Sequence, residues 1–183
     1  MEVGETLDVS TAAAWRAWLE RNHTVKREIW LVLHAKASGR DSIAYNDAVD
    51  EALCFGWIDS TAKKVDADRT AQRFTPRRAG SKTSEMNKAR ARRLVRERRM
   101  TAAGLEAIGT LRAPRLVLPA DIRAALERDE TAWRHFQRFP VAYRRIRVAF
   151  VEGARRRPAE FQRRLRNLVR RSAKNERFGM VRE

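Results

Sequence analysis

The sequence predicts an α+β fold: a small, mainly antiparallel sheet packed by helices, followed by a basic helical C-terminal region. Three observations carry this. Short apolar and alternating runs, bounded by turn residues, are confined to residues 1–80. From Ser81 onward the apolar residues recur at helical spacing. The charge divides at the same place: residues 1–80 hold 12 basic and 12 acidic side chains, residues 81–183 hold the other 28 and 11, and the net +17 lies in the second part. We therefore divide the chain into an α+β domain with a helical extension, residues 1–112, and a basic helical C-terminal region, residues 113–183.

The elements follow in order. "DVSTAAAWRAWLERN" reads as a helix, with Ser10 or Thr11 able to accept from free first-turn amides and Trp15, Trp18 and Leu19 on its apolar face. "REIWLVLHAK" has an unbroken apolar run from Ile29 to Leu33, as expected of a strand covered on both faces. "SGRDS" is a turn. "YNDAVDEALCFG" keeps the helical period from Tyr45 to Phe55; Asp47 suits its positive N-terminal end, and Gly56 the left-handed position after its last turn. "WIDSTAKKV" and "RTAQRFT" alternate around "DAD" and predict a hairpin closed off by Pro76, which has no N–H for a ladder. On strict alternation Trp57, Asp59 and Thr61 share one face, and Ile58, Ser60 and Ala62 the other. Helices are then expected from a Ser84 cap, from a Thr101 cap, and through "PADIRAALERD", "ETAWRHFQRF", "VAYRRIRVAFVEGARR" and "PAEFQRRLRNLVRRSAK". In the last, Phe161, Leu165, Leu168 and Val169 form a narrow apolar stripe, and Arg163, Arg164, Arg166, Arg170 and Arg171 cover much of the rest.

Composition narrows the function classes. A hydrophobic fraction of 43% supplies a core, and no stretch is long and apolar enough to span a bilayer. The single cysteine, Cys54, excludes an internal disulfide framework, and "MEVGETLDVS" lacks a secretory pattern; together they give a cytoplasmic expectation. His23, His34 and His135 lie far apart with no ligand spacing, so no metal is expected, and no glycine-rich phosphate loop or nucleophile elbow calls for a cofactor or a hydrolase. Cys54, between Leu53 and Phe55, reads as a buried, inert thiol. No catalytic residue is assigned.

Two anion-directed constellations are left. The first is a pocket of Trp57, Asp59, Arg77, Ser81, Ser84 and Asn87, in which guanidinium groups of the "TPRR" loop and the start of a helix converge. Against it stands a plain ion pair of Asp59 with Lys63, Arg73 or Arg77 across the hairpin. The second is a basic surface of Arg78, Arg92, Arg93, Arg96, Arg163, Arg164, Arg170 and Arg171, suited to phosphate backbones without sequence readout or to an acidic protein surface. Against it stands mere arginine richness. Few aromatics interleave with these residues, which argues against single-strand stacking.

The motifs "WRAWLERNH", "EIWLVLHAK", "EALCFGWIDS", "RFTPRR", "SEMNK" and "RMTAAGLEAI" resemble the YdeI/OmpD-associated, or bacteriocin-protection, family, with the tail from Leu118 resembling its C-terminal helical region more loosely. Thr83-Ser84 stands where members usually carry Trp-Ser. The resemblance implies a small bacterial α+β domain followed by helices, and a role in stress or bacteriocin tolerance with no defined reaction. The leading reading is thus a non-catalytic cytoplasmic protein that engages an anionic partner, nucleic acid or acidic protein, through its basic second half. The alternative is a small-anion binder or enzyme using the Trp57/Asp59/Arg77 pocket.

Overall fold

The computed structural model describes residues 2–113 and 115–179. It is an α+β fold with a four-stranded sheet of order β1-β2-β4-β3. Contacts divide the chain into one compact unit of residues 1–83 and 90–111, and a second of residues 84–89 and 112–183.

In the first unit, β1 (Thr6–Asp8) pairs parallel to β2 (Ile29–His34), and β2 and β3 (Trp57–Lys64) both pair antiparallel with β4 (Arg69–Pro76). Two helices flank these strands in sequence, α1 (Ala12–Asn22) and α2 (Tyr45–Cys54). Thr11 caps α1 by accepting from the Ala14 amide at 3.1 Å. Ile29 to Val32 are all buried, as the unbroken apolar run requires. Ile29, Leu31 and Phe74 meet Trp15, Leu19, Val49, Leu53 and Trp57 in one core. Two buried indoles find acceptors, Trp15 Nε1 donating to the Ala48 carbonyl at 3.0 Å and Trp57 Nε1 to the His23 carbonyl at 3.1 Å, whereas Trp30 Nε1 is buried without one among the described residues.

Three features depart from the sequence expectation. Strand β1 was not anticipated; three residues offer too short an alternation to read, and a parallel neighbour far along the chain holds them. Strict alternation fails in β3, where the register shifts between Asp59 and Ala62: Asp59 faces Phe74, but Ala62 faces Gln72. One extra residue brings Ala62 onto the Asp59 face, and the buried Gln72 amide donates to the Thr61 carbonyl that the bulge frees, at 3.3 Å. Finally, Asp59 pairs with none of the expected cations. It accepts from the Tyr45 hydroxyl at 2.6 Å, while Arg73 turns to Glu28 on the β2 side.

The end of α2 decides how α4 (Ala102–Ile108) sits. Gly56 takes φ +74°. The Cys54 carbonyl accepts from both the Thr101 amide, 3.1 Å, and the Thr101 hydroxyl, 2.6 Å. The same hydroxyl oxygen caps α4 by accepting from the Gly104 amide at 3.2 Å. A Cβ at Gly104 would lie 2.1 Å from the Cys54 oxygen, so the two backbones touch there.

The first turn of α3 (Glu85–Arg96) is grouped with the second unit, and the Ser84 hydroxyl accepts from the Asn87 amide at 3.2 Å, the expected cap. Four more helices follow among the described residues: α5 (Ala120–Glu127), α6 (Glu130–Arg138), α7 (Val141–Glu152) and α8 (Pro158–Ala173). Their core is Ile122, Leu126, Phe136, Tyr143, Val151, Phe161, Leu165 and Leu168. The apolar stripe of α8 is buried at Phe161, Leu165 and Leu168 and half-buried at Val169. Among the described residues no helix is long and apolar enough to cross a membrane.

Candidate functional site

The arginines divide into those that hold the fold and those that stay open. On α2, Asp50 and Glu51 are buried side by side, and each carboxylate is held by two guanidinium groups. Arg90 donates to Asp50 Oδ1 at 2.6 Å while Arg93 takes Oδ2. Arg16 donates to Glu51 Oε2 at 2.9 Å and Arg99 to Oε1 at 2.6 Å. Arg90 also reaches Asn46 Oδ1 at 2.5 Å. Buried charges persist only when paired and hydrogen-bonded, and both carboxylates here have each oxygen occupied. Arg93, read from sequence as partner-binding, is therefore turned inward to Asp50 and Glu97. Arg92 donates to the Leu111 carbonyl at 2.8 Å. Arg96 is exposed.

Of the expected pocket, Trp57 and Arg77 do share a cleft. Its volume is about 430 Å³, and its walls include His23, Gly56, Trp57, Pro76, Arg77, Arg78, Ala103, Glu106 and Ala107. The β3–β4 pairing opposes Trp57 to Pro76, and the Arg77 amide donates to the Gly56 carbonyl at 2.9 Å, so the register itself builds one wall. Arg77 is oriented by its own loop: Nη2 donates to the Ser81 carbonyl at 3.3 Å, the Ser81 hydroxyl at 3.2 Å and the Thr83 hydroxyl at 2.9 Å. Ser81 thus braces Arg77 rather than lining the cleft. Asp59 is not among the lining residues, being held by Tyr45. Ser84 and Asn87 belong to the second unit, where they form the α3 cap. His23, Ala103, Glu106 and Ala107 were not foreseen, because α1 and α4 reach this cleft from distant parts of the chain.

In the second unit α8 carries part of the open charge; Arg134, Arg138, Arg156 and Arg157, outside it, are also exposed without an ion pair among the described residues. Two grooves border α8. One, about 760 Å³, has Arg128, Arg166, Arg170 and Lys174 among its lining; the other, about 550 Å³, is lined by Phe150, Arg163, Arg164, Arg166, Asn167 and Arg170. Arg166 and Arg170, four residues apart on α8, line both grooves, and Lys174, the residue after the helix, lines the larger one. Arg128, Arg166 and Lys174 are exposed, and among the described residues neither Arg128 nor Arg166 forms an ion pair. Other expected members are partly occupied. Arg163 and Arg164 share Glu160, Arg164 also lies 3.9 Å over the Phe150 ring, and Arg171 pairs with Glu176. Arg170 donates to Asn167 at 3.1 Å, a neutral partner that leaves its charge uncompensated by that contact.

Cys54 is fully buried, and burial, reinforced by the Glu51 charge, pushes its thiol up to about 11. It has the inert environment read from the sequence. Among the described residues no group of three or more His, Cys, Asp or Glu could hold a metal ion.

The fold and these sites define a basic α+β protein, with the unpaired Arg128 and Arg166 lining a groove of its second unit. Residues 7–107, more than half of the chain, match the family described as Domain of unknown function (DUF8412), and the chain belongs to that family. Residues 115–175 match the family described as Bacteriocin-protection, YdeI or OmpD-Associated. The resemblance read from the sequence therefore stands, and it is carried by the helical tail; the front motifs fall within the other family's domain. No curated protein and no solved structure matches the chain.

Proposed function

We propose that this is a non-catalytic bacterial protein of the bacteriocin-protection type, acting in the cytoplasm, which binds the phosphate backbone of nucleic acid through α8 without reading sequence. The observation that carries the reading is the row Arg166, Arg170 and Lys174 with Arg128 on a groove rim, in a region where cations far outnumber acids. Exposed guanidinium groups at these intervals can meet successive phosphates, and nothing in the row supplies base-edge selectivity.

The test is binding of a labelled DNA duplex, followed by fluorescence anisotropy across a range of potassium chloride. Affinity should fall steeply with salt, by roughly 0.9 log units per log unit of salt for each phosphate neutralised. The double variant Arg166→Gln, Arg170→Gln should flatten that slope by about 2. Absence of binding at low salt, or an unchanged slope in the double variant, overturns the reading. Retention of a defined acidic protein after nuclease treatment, with no duplex binding, would reassign α8 to a protein partner.

A further inference from the structure

The cleft over Gly56 shares no residue with the α8 row and does not depend on the function proposed for it. Its central charge meets no carboxylate among the described residues, a condition it shares in this unit with the half-buried Arg92, which donates to the Leu111 carbonyl. Arg16, Arg73, Arg90, Arg93 and Arg99, of comparable or greater burial, each meet a carboxylate. Arg77 instead gives all its hydrogen bonds to uncharged oxygens of Ser81 and Thr83, and gives them from Nη2. Its Nε is buried without a partner. Burial draws its pKa below the ordinary arginine value, with no acid opposing the shift. A cation that is partly desolvated, fixed in direction and bonded to no carboxylate gains from any anion that reaches it.

The rest of the cleft restricts which anion. Gly56, Pro76, Ala103 and Ala107 give small, apolar walls. The helix α4 approaches bare backbone here: a Cβ on Gly56 would come 2.8 Å from the Ala107 Cβ. Arg78, exposed and with no ion pair among the described residues, adds a second positive group at the rim. Glu106 also lines the cleft and is exposed; its negative charge opposes a ligand carrying two. The volume of about 430 Å³ falls within the small-molecule range.

We propose that this cleft binds a small monoanionic carboxylate with a compact apolar body, its carboxylate at Arg77 and Arg78 and its body against Gly56, Pro76, Ala103 and Ala107. Benzoate is the probe, with benzyl alcohol as the uncharged ligand of similar shape and inorganic phosphate as the bare, more highly charged anion. In amide NMR titrations of the full chain, benzoate should give saturable shifts at Gly56, Arg77, Ala103 and Ala107. Benzyl alcohol and phosphate should bind at least about tenfold more weakly. Glu106→Gln, a change at an exposed side chain, should tighten benzoate binding by a factor on the order of two. Arg77→Met should abolish the saturable response; if that variant does not fold, the comparison of benzoate with benzyl alcohol on the unaltered protein decides. The proposal is overturned by no saturable shift with benzoate, by an equal response to benzyl alcohol, by phosphate binding as tightly, or by weaker benzoate binding in Glu106→Gln.

Discussion

Individual side chains show how this protein employs its arginines. Asp50 and Glu51, adjacent on α2, absorb four guanidinium groups from α1, α3 and the turn before α4. Removing one acid would strand buried charge, which costs more than the pair itself contributes. Asp50→Ala should therefore destabilise the protein by about 3–5 kcal/mol, read from urea unfolding. The exposed Arg96→Ala should shift stability by less than about 0.5 kcal/mol. Two other groups set an alkaline limit. Burial and the Glu51 charge raise the Cys54 thiol from 9.0 to about 11. Burial and the hydrogen bond to Asp59 raise the Tyr45 hydroxyl from 10.0 to about 12. The folded chain thus holds these protons more tightly than the unfolded one. Their contribution to stability is complete below the unfolded values and is lost as the pH rises through the folded ones. Denaturation midpoints measured from neutral pH to pH 12 should fall across that window, and Cys54→Ser with Tyr45→Phe should flatten the fall. A midpoint that rises with pH would contradict the assignment.

Among the elements, helix α4 depends on the smallest residues it contains. The Gly104 position touches the Cys54 and Leu53 carbonyls, backbone against backbone, and neither side can yield by a rotamer change. Gly104→Ala should cost at least about 1–3 kcal/mol, the usual range for overpacking, despite alanine's better helix propensity. Thr101→Val keeps the shape but loses the one hydroxyl that both caps α4 and donates to the Cys54 carbonyl at the end of α2. A loss of about 1–2 kcal/mol is expected in thermal or chemical denaturation. The first helix, the buried strand, the hairpin and α8 were legible because each carries its own period or turn residues. The β3 bulge was not. The Gln72 side chain that meets the Thr61 carbonyl there stands on the neighbouring strand, and no pattern within "WIDSTAKK" announces the irregularity. The same reason hides the Tyr45–Asp59 bond: the partner stands on a helix, whereas reasoning within the hairpin offers only Lys63, Arg73 and Arg77.

For the whole molecule, charge distribution is the property that matters, and formal counting captures part of it. The excess of cations after residue 80 is a fact of the chain. Which of them face water is a fact of the fold: Arg90 and Arg93 are consumed by Asp50, while Arg166 and Arg128 stay open. A comparison of open with occupied arginines follows. Arg166→Gln with Arg170→Gln should weaken duplex binding with little loss of stability, whereas Arg90→Gln should chiefly lower stability, with binding and unfolding measured on the same samples. Equal loss of duplex affinity, with stability untouched, would erase the distinction between open and occupied arginines. The sequence by itself determined the α+β class, the order of the long elements, the burial of Cys54 and the asymmetry of charge, because these depend on local periodicity and on counts. Tertiary structure alone decided which arginines are paired, that Arg77 has no acid while Asp59 turns to Tyr45, and that α1 and α4 complete the cleft. Those outcomes rest on distances between residues remote in the chain, which folding sets through packing and desolvation.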